Sequence, residues 1–346
     1  MNIEHLDFHI TNKCNMLCKH CLFSSGEKDM EELTYNEIKQ VLIDFADISN
    51  SKGSVNLFGG EPLLRKDIFE IIKLSDELGL NVGITTNANF EESTIEKLKE
   101  FKNLLVKVDL DGGNAKTHDW LRNKKGHFDN IIKIIKNYKK SDLKVNVTTV
   151  LHKKNVNEIE IILNLCNELN INAIMFFYFT PLGRGNEIKE IQLEADEWIA
   201  ARDRVIYWIR HYKPSFNIIW ENSFYTQSES DNYKDYKICN KLLSSINIMS
   251  NGNVHYCGLL GSVNALPLGN IRKDSLKTII ESSKFKNYKK FNGCPALAIQ
   301  DKNIKKNEQL KDPRKTTNNI FQSCSYICKL LNEYEVEKLT DTKVLM

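Results

Sequence analysis

Six apolar runs of strand length occur between residues 3 and 179, and stretches of helical period separate them. The runs are Ile3 to Ile10, Val55 to Phe58, Asn81 to Thr85, Leu104 to Leu110, Val145 to Leu151 and Ala173 to Phe179. Thr34-Tyr35-Asn36-Glu37 is a capping box, and it opens a helix with Ile38, Val41, Leu42 and Phe45 on one face. Asp67 is placed to cap a second helix through Leu78, and further helices are expected from about Glu92, from Phe128 to Tyr138 and from Ile159 to Leu169. The segment between Gly112 and Phe128 opens as a loop in this reading. Strands alternating with helices predict an α/β fold with a parallel sheet, and six units are enough for a partial (β/α)6 barrel.

Sheets of this kind carry their chemistry at the C-terminal ends of the strands. The marked residues fall there. Cys14-x3-Cys18-x2-Cys21 follows the first strand and Gly59-Gly60-Glu61-Pro62 the second. Asn87 follows the third, and Asp109 to Gly112 the fourth. A structural zinc site takes four N or S ligands, and the triplet has no obvious local fourth. Three thiolates can instead hold three irons of a [4Fe–4S] cluster and leave the fourth iron open.

The triplet after a first strand resembles the radical SAM superfamily. The resemblance implies that Cys14, Cys18 and Cys21 hold a [4Fe–4S] cluster whose open iron binds S-adenosylmethionine (SAM). An electron then cleaves SAM to methionine and a 5′-deoxyadenosyl radical, which abstracts a substrate hydrogen. The partial barrel is the fold that goes with it. Gly59-Gly60-Glu61 is similar to the family's GGE motif. Its glycines allow close backbone approach, and its carbonyls, with the Glu61 carboxylate, are expected to accept hydrogen bonds from the SAM amino group. His20 stands where the family usually has an aromatic residue, with its backbone near the adenine. Asn87 resembles the family's T-N-G position, with Ala88 replacing the glycine. Asp109 replaces the serine of an S-L-D-G-like segment and is placed to bind the ribose hydroxyls. Arg122, in His118-Asp119-Trp120-Leu121-Arg122, is expected to pair with a carboxylate of SAM or substrate.

Leu182-Gly183-Arg184-Gly185-Asn186 breaks the alternation, and a helix around Ala195 to Tyr212 follows. The polar segment Ser228 to Lys237 carries the expected boundary between residues 1–225 and a smaller α+β unit, 226–346. There, Ile246 to Met249 and Val254 to Cys257 read as a hairpin around Asn251-Gly252. A short helix at Ser275 to Ser282 and a polar insert at Asp301 to Asn319 come later. Cys239-x12-Gly252-x4-Cys257 resembles the start of a SPASM or twitch domain, which binds auxiliary clusters. With five cysteines in this part, one auxiliary [4Fe–4S] cluster is expected, on Cys239, Cys257, Cys294 and one of Cys324 or Cys328. A structural zinc held by four of the five is the alternative. Cys166 lies in an apolar helix and reads as a buried free cysteine.

Net charge is +3, from 48 basic and 45 acidic residues, so no electrostatic footprint argues for nucleic acid. No run of about 18 apolar residues and no signal-peptide pattern occurs. Nine cysteines without such a signal point to metal or redox work in a reducing cytoplasm rather than to disulfides. The resemblance implies a cytoplasmic radical SAM enzyme that matures a ribosomally made peptide by cross-link, thioether or epimerisation. With Cys14 so near the start, the peptide is expected to dock on the barrel or the C-terminal part. The runner-up is a small-molecule substrate such as a tetrapyrrole side chain, because Pro181 to Gly185 and the polar stretch after it resemble radical SAM enzymes that act on tetrapyrroles. A non-catalytic Fe–S scaffold or electron carrier is the reading from another class. A flavodoxin- or ferredoxin-type reductant is the implied protein partner.

Overall fold

The computed structural model describes residues 3–26, 31–90, 92–221, 223–226, 244–290 and 320–322. Parallel strands β1 (His5–Thr11), β2 (Ser54–Gly59), β3 (Asn81–Thr86), β4 (Leu105–Asp109), β5 (Lys144–Leu151) and β6 (Ala173–Tyr178) lie side by side in chain order. The α/β partial barrel is therefore present, as an open sheet. Alternation along these strands sorts their side chains. Leu6, Phe8, Val55, Leu57, Val82, Ile84, Val106, Val145 and Ile174 are buried beneath the helices. Asp7, Asn56, Thr85, Lys107, Asn146 and Thr148, one residue out of phase, are half-buried on the opposite face. That second face is the polar concave lining, because side chains two apart share a face.

The helices cover the apolar face. In α1 (Tyr35–Ile48) the Thr34/Glu37 capping box forms, and Ile38, Val41, Leu42 and Phe45 are buried. Fully burying each such side chain contributes about 1.5–3 kcal/mol. In α2 (Ile68–Glu77) Asp67 stands at the cap position without capping. Its two oxygens instead accept from Arg65 Nε and Nη2, at 2.9 and 2.7 Å, because a guanidinium fork competes better for a carboxylate than one backbone amide. α3 (Glu92–Leu98) follows as expected.

The first departure is α4 (Ala115–Arg122), where the sequence reading had a loop. Asn114 caps it by accepting from Thr117 N, and only His118, Leu121 and Arg122 turn inward, so its periodicity is mostly polar. α5 (His127–Lys140) and α6 (Ile159–Glu168) complete the six units. Cys166 of α6 is fully buried. A 3-10 segment, Gly183–Ile191, and α7 (Ala195–Tyr212) come next.

Two strands missed or differently placed by the sequence reading extend the sheet at its edges. β7 (Asn217–Trp220) pairs with β6, and Trp220 packs on Trp198 at 4.3 Å between centroids. β8 (Phe224–Thr226) lies apart, paired with the last described strand, Ile320–Gln322. The expected hairpin forms from β9 (Ser245–Ile248) and β10 (Asn253–His255), with Gly252 in the left-handed region at φ +86°. However, β9 also pairs in parallel with β1, Leu6 opposite Ile246 and Phe8 opposite Ile248, so this hairpin continues the barrel sheet. All four β9 residues are buried, which is what a strand covered on both faces requires. β11 (Gly269–Asn270), α8 (Gly258–Ser262), α9 (Leu276–Glu281) and α10 (Ser283–Lys290) complete the described chain. Among the described residues no helix is long and apolar enough to cross a membrane.

Candidate radical SAM site

The cysteine loop is held by backbone contacts to the end of β2, to α4 and to the segment after β6. Gly60 N donates to Thr11 O at 2.8 Å and Glu61 N to Lys13 O at 2.7 Å. A Cβ on Gly59 would stand 2.2 Å from Thr11 O, and one on Gly60 2.2 Å from Lys13 O. Gly59 also sits at φ +143°. These glycines are thus required for the loop to lie against β2, whatever ligand approaches later.

Glu61 is fully buried. Its carboxylate accepts from Leu63 N at 3.0 Å, Asn87 N at 2.7 Å and Thr86 Oγ1 at 3.0 and 3.1 Å. Burial pushes its pKa up to about 7, against those donors. The carboxylate expected to face SAM therefore ties the end of β2 to the end of β3 in this geometry. Asn87 carries the tie onward. Its Nδ2 reaches Asn15 Oδ1 at 2.8 Å and Cys14 Sγ at 3.7 Å. Ala88 adopts φ +54°, the conformation that the glycine it replaces would take freely.

Arg122 reaches the loop from α4. Its Nη1 points at Cys18 Sγ, 3.8 Å away, while Nη2 meets Asp111 Oδ2 at 2.6 Å and Asp109 Oδ2 at 3.0 Å. The carboxylates that this guanidinium meets among the described residues are those of Asp109 and Asp111. Burial raises Asp109 to about 6. Burial acts on Asp111 as well, but Arg122 overrides it and holds that carboxylate near 2. Asp111, which the sequence reading passed over, is the better-held partner; its other oxygen accepts from Val150 N at 2.8 Å.

Burial disfavours the thiolate form of Cys14 and Cys18. Burial raises the Cys14 thiol to about 11, with Cys18, Glu61 and Cys21 adding repulsion. Burial also raises Cys18, opposed by Arg122. Thiolates must form for iron to bind, and iron supplies the charge that stabilises them. Two of the three sulfurs already face N–H donors, the kind of contact that tunes an Fe–S cluster. Among the described residues no three His, Cys, Asp or Glu side chains stand close enough to share one metal ion, so the fit to a cluster rests on this donor set.

His20 is the remaining expected residue of the loop. Its Nδ1 is buried without a partner. Burial first, then Arg122, lower its pKa to about 3, so the ring is neutral.

Two supports were not legible in the sequence. Gly183 and Arg184 press on the cysteine loop from the segment after β6. Arg184 Nε donates to Cys18 O at 3.0 Å, its Nη1 to Ser25 O at 2.7 Å and its backbone N to Cys21 O at 3.1 Å. A Cβ on Gly183 would lie 2.4 Å from Cys21 O.

The other support is a histidine relay. Asp111 N donates to His118 Nδ1 at 3.0 Å, so His118 carries its proton on Nε2 and donates to His127 Nδ1 at 2.8 Å. His127 Nε2 then donates to Asn87 O at 2.8 Å. Both rings are satisfied only when neutral, and burial lowers them to about 3 and about 4. Below the ordinary histidine value of 6.5 the unfolded chain binds these protons first. Stability contributed by the relay is therefore full above pH 6.5 and falls as pH drops toward 4. His127 should account for about 2 kcal/mol of loss between pH 7 and pH 5. Urea unfolding at both values should show a smaller difference for His127→Gln than for wild type; equal differences would remove the relay from the account.

Comparison with known proteins finds two family matches. A sequence profile of the Radical SAM superfamily matches residues 8–166, and one described as an iron–sulfur cluster-binding domain, SPASM, matches residues 239–328. Residues 8–166 are a radical SAM domain. One relative, an AdoMet-dependent heme synthase of Methanosarcina barkeri, is 33% identical over 203 residues, 58% of this chain and 56% of its own. Another, the sporulation killing factor maturation protein SkfB of Bacillus subtilis, is 29% identical over 276 residues, 78% of this chain and 63% of its own. The chain thus spans less than two thirds of either relative. In fold it is similar to Streptococcus suis SuiB bound to S-adenosylmethionine, with TM-score 0.71 and 21% identity over 86% of this chain and 70% of that one. The radical SAM and SPASM domains together imply [4Fe–4S] clusters and SAM as cofactors. Of the cysteines expected to hold an auxiliary cluster, Cys257 is described. It stands at the N-terminus of α8, where a Cβ on Gly258 would lie 3.4 Å from Asn247 Oδ1 and 4.0 Å from Phe23 of the cysteine loop. Cys239, Cys294, Cys324 and Cys328 lie outside the described residues, as do the boundary segment 228–237 and the insert 301–319.

Proposed function

We propose that this radical SAM protein is an enzyme that matures a ribosomally made peptide. Cys14, Cys18 and Cys21 would hold the [4Fe–4S] cluster, with Asn87 and Arg122 directing N–H groups at two of the sulfurs. That convergence at the C-terminal strand ends is the observation that carries the reading. When bound, the cluster supplies the electron that splits SAM into methionine and a 5′-deoxyadenosyl radical able to take one substrate hydrogen. The chain's own part is positional. Gly59 and Gly60 let the loop seat, Glu61 and Asn87 fix its rim, and Arg184 clamps it from outside. Asp109, half-buried at the end of β4, keeps one oxygen beyond its pairing with Arg122 and stays the candidate for the ribose hydroxyls. His20 lines the loop with its backbone. We take residues 1–225 as the core unit and 226–346 as the auxiliary unit, with one further cluster on Cys239, Cys257, Cys294 and Cys324 or Cys328.

The peptide substrate is supported by the likeness to SkfB, which extends over 78% of the chain, against 58% for the heme synthase. A tetrapyrrole is the second reading, favoured by the higher identity to that heme synthase. Iron and sulfide counting after anaerobic reconstitution tests the cofactor assignment. About eight irons should fall to about four in a Cys14/Cys18/Cys21→Ala variant. Release of 5′-deoxyadenosine from SAM under reducing conditions should vanish with them. An intact cluster that releases none would instead indicate a scaffold or electron carrier.

A further inference from the structure

Beside the cysteine loop an open groove of about 500 Å³ runs along α4, lined by Lys19, Lys116, Lys124, Lys125 and Trp120. Lys19 Nζ stands 5.2 Å from the centre of the Trp120 ring and Lys154 Nζ 4.8 Å from it. None of these five lysines is in an ion pair among the described residues. The one acid in the lining, Asp119, turns its oxygens to Gly126 N at 2.6 Å and Phe128 N at 2.8 Å. In a chain of net charge only +3, this concentrates positive charge on one small surface.

The groove is also the outer wall of the candidate cluster site. Lys19 follows Cys18 directly, and its backbone N donates to Leu121 O at 2.9 Å, next to Trp120. Arg122, on the same helix, points at Cys18 Sγ from the inner side.

We propose that this groove docks an acidic one-electron carrier protein of the flavodoxin class. The inference rests on the radical SAM reading of Cys14, Cys18 and Cys21. That reading needs one low-potential electron from outside the chain, and electron transfer weakens steeply with distance. A flavin hydroquinone docked here would give up one electron and one proton and become the semiquinone, the proton going to solvent. The electron would reduce by one unit the cluster that Cys14, Cys18 and Cys21 would hold, entering from the Cys18 side. The five lysines meet the acidic rim of the carrier. Trp120, held between two of them, gives the interface an aromatic centre, a residue type enriched at the energetic core of protein contacts. A peptide substrate fits less well, because the groove opens on the far side of α4 from Arg122 and the cysteine sulfurs.

The test uses the reconstituted holoenzyme and a bacterial flavodoxin. Binding is measured by calorimetry for wild type and for Lys116→Glu/Lys124→Glu/Lys125→Glu, three exposed positions outside the cysteine site. At low ionic strength the variant should bind at least tenfold more weakly. The gap should close as salt is raised, because such contacts are screened within about 10 Å at 0.1 M. In parallel, 5′-deoxyadenosine release driven by dithionite, which needs no docking, should be equal in the two proteins, and flavodoxin-driven release should fall in the variant. Unchanged flavodoxin affinity overturns the docking surface. Loss of affinity for a peptide substrate with flavodoxin binding intact overturns it too, and assigns the groove to the peptide. Failure of the dithionite reaction in both proteins counts against the radical SAM reading, whereas the binding comparison still decides the groove.

Discussion

Arg122→Leu should lower the free energy of unfolding by about 3–5 kcal/mol, the usual cost of removing one partner from a buried ion pair. Arg122 stands between two carboxylates at 2.6 and 3.0 Å, and its side chain is 6% exposed. Without it, Asp109 and Asp111 face each other in a site with no other cation within the described contacts. Burial already raises Asp109 to about 6 with the arginine in place. Its folded pKa should climb further in the variant. A carboxylate raised on folding supports stability at low pH and withdraws it as pH rises through the folded value. The deficit against wild type should therefore be largest at neutral pH and shrink on acidification. Anaerobic urea unfolding at pH 7 and pH 5.5 reads both effects. Asn at 109 and 111 in the same background should recover at least half of the loss. A deficit below about 1 kcal/mol that does not change with pH would mean that the triad is not a supporting element.

Gly60→Ala should remove the cysteine site outright. The added Cβ would meet Lys13 O at 2.2 Å, and a backbone oxygen has no rotamer by which to give way. Overpacking of this kind costs about 3 kcal/mol. Here the cost falls on the contact that seats the loop, Glu61 N to Lys13 O. The variant should fail to take up the irons assigned to Cys14, Cys18 and Cys21, while keeping those of the auxiliary cysteines. Gly126→Ala is the control. It too has positive φ, at +77°, but nothing lies within 4 Å of its Cβ, so only backbone strain of about 1 kcal/mol is added. Normal iron uptake in Gly60→Ala would show that the loop seats by some other contact.

Much of this architecture could be read from local pattern. The Thr34/Glu37 box, the six strands and the hairpin around Gly252 are set by residues within a few positions of one another. The same holds for the helix at Ile159 and for the cysteine spacing. Reading failed where a signal was polar or was completed elsewhere. Ala115–Arg122 looked like a loop because only three of its side chains turn inward. Asp67 looked like a cap because the sequence does not reveal that Arg65 takes its carboxylate. β7 is short and alternates weakly, and only its partner β6 makes it a strand.

For the candidate site, the chain itself determined which residue types stand at the strand ends: three cysteines, two glycines, Glu61, Asn87, Asp109 and Arg122. Spacing is a local property, and it brings these residues to one end of a parallel sheet. Tertiary structure alone decided what they touch. Arg122 reaches Cys18 across 104 residues and Arg184 reaches it across 166. Glu61 spends its carboxylate on Thr86 and Asn87, and His118 and His127 join in a relay that no motif announces. β9 completes the sheet beside β1 from more than 230 positions away. The physical reason is that buried donors and acceptors must find partners wherever the fold brings them. That requirement is met in space, and the local sequence carries no record of which distant residue will meet it.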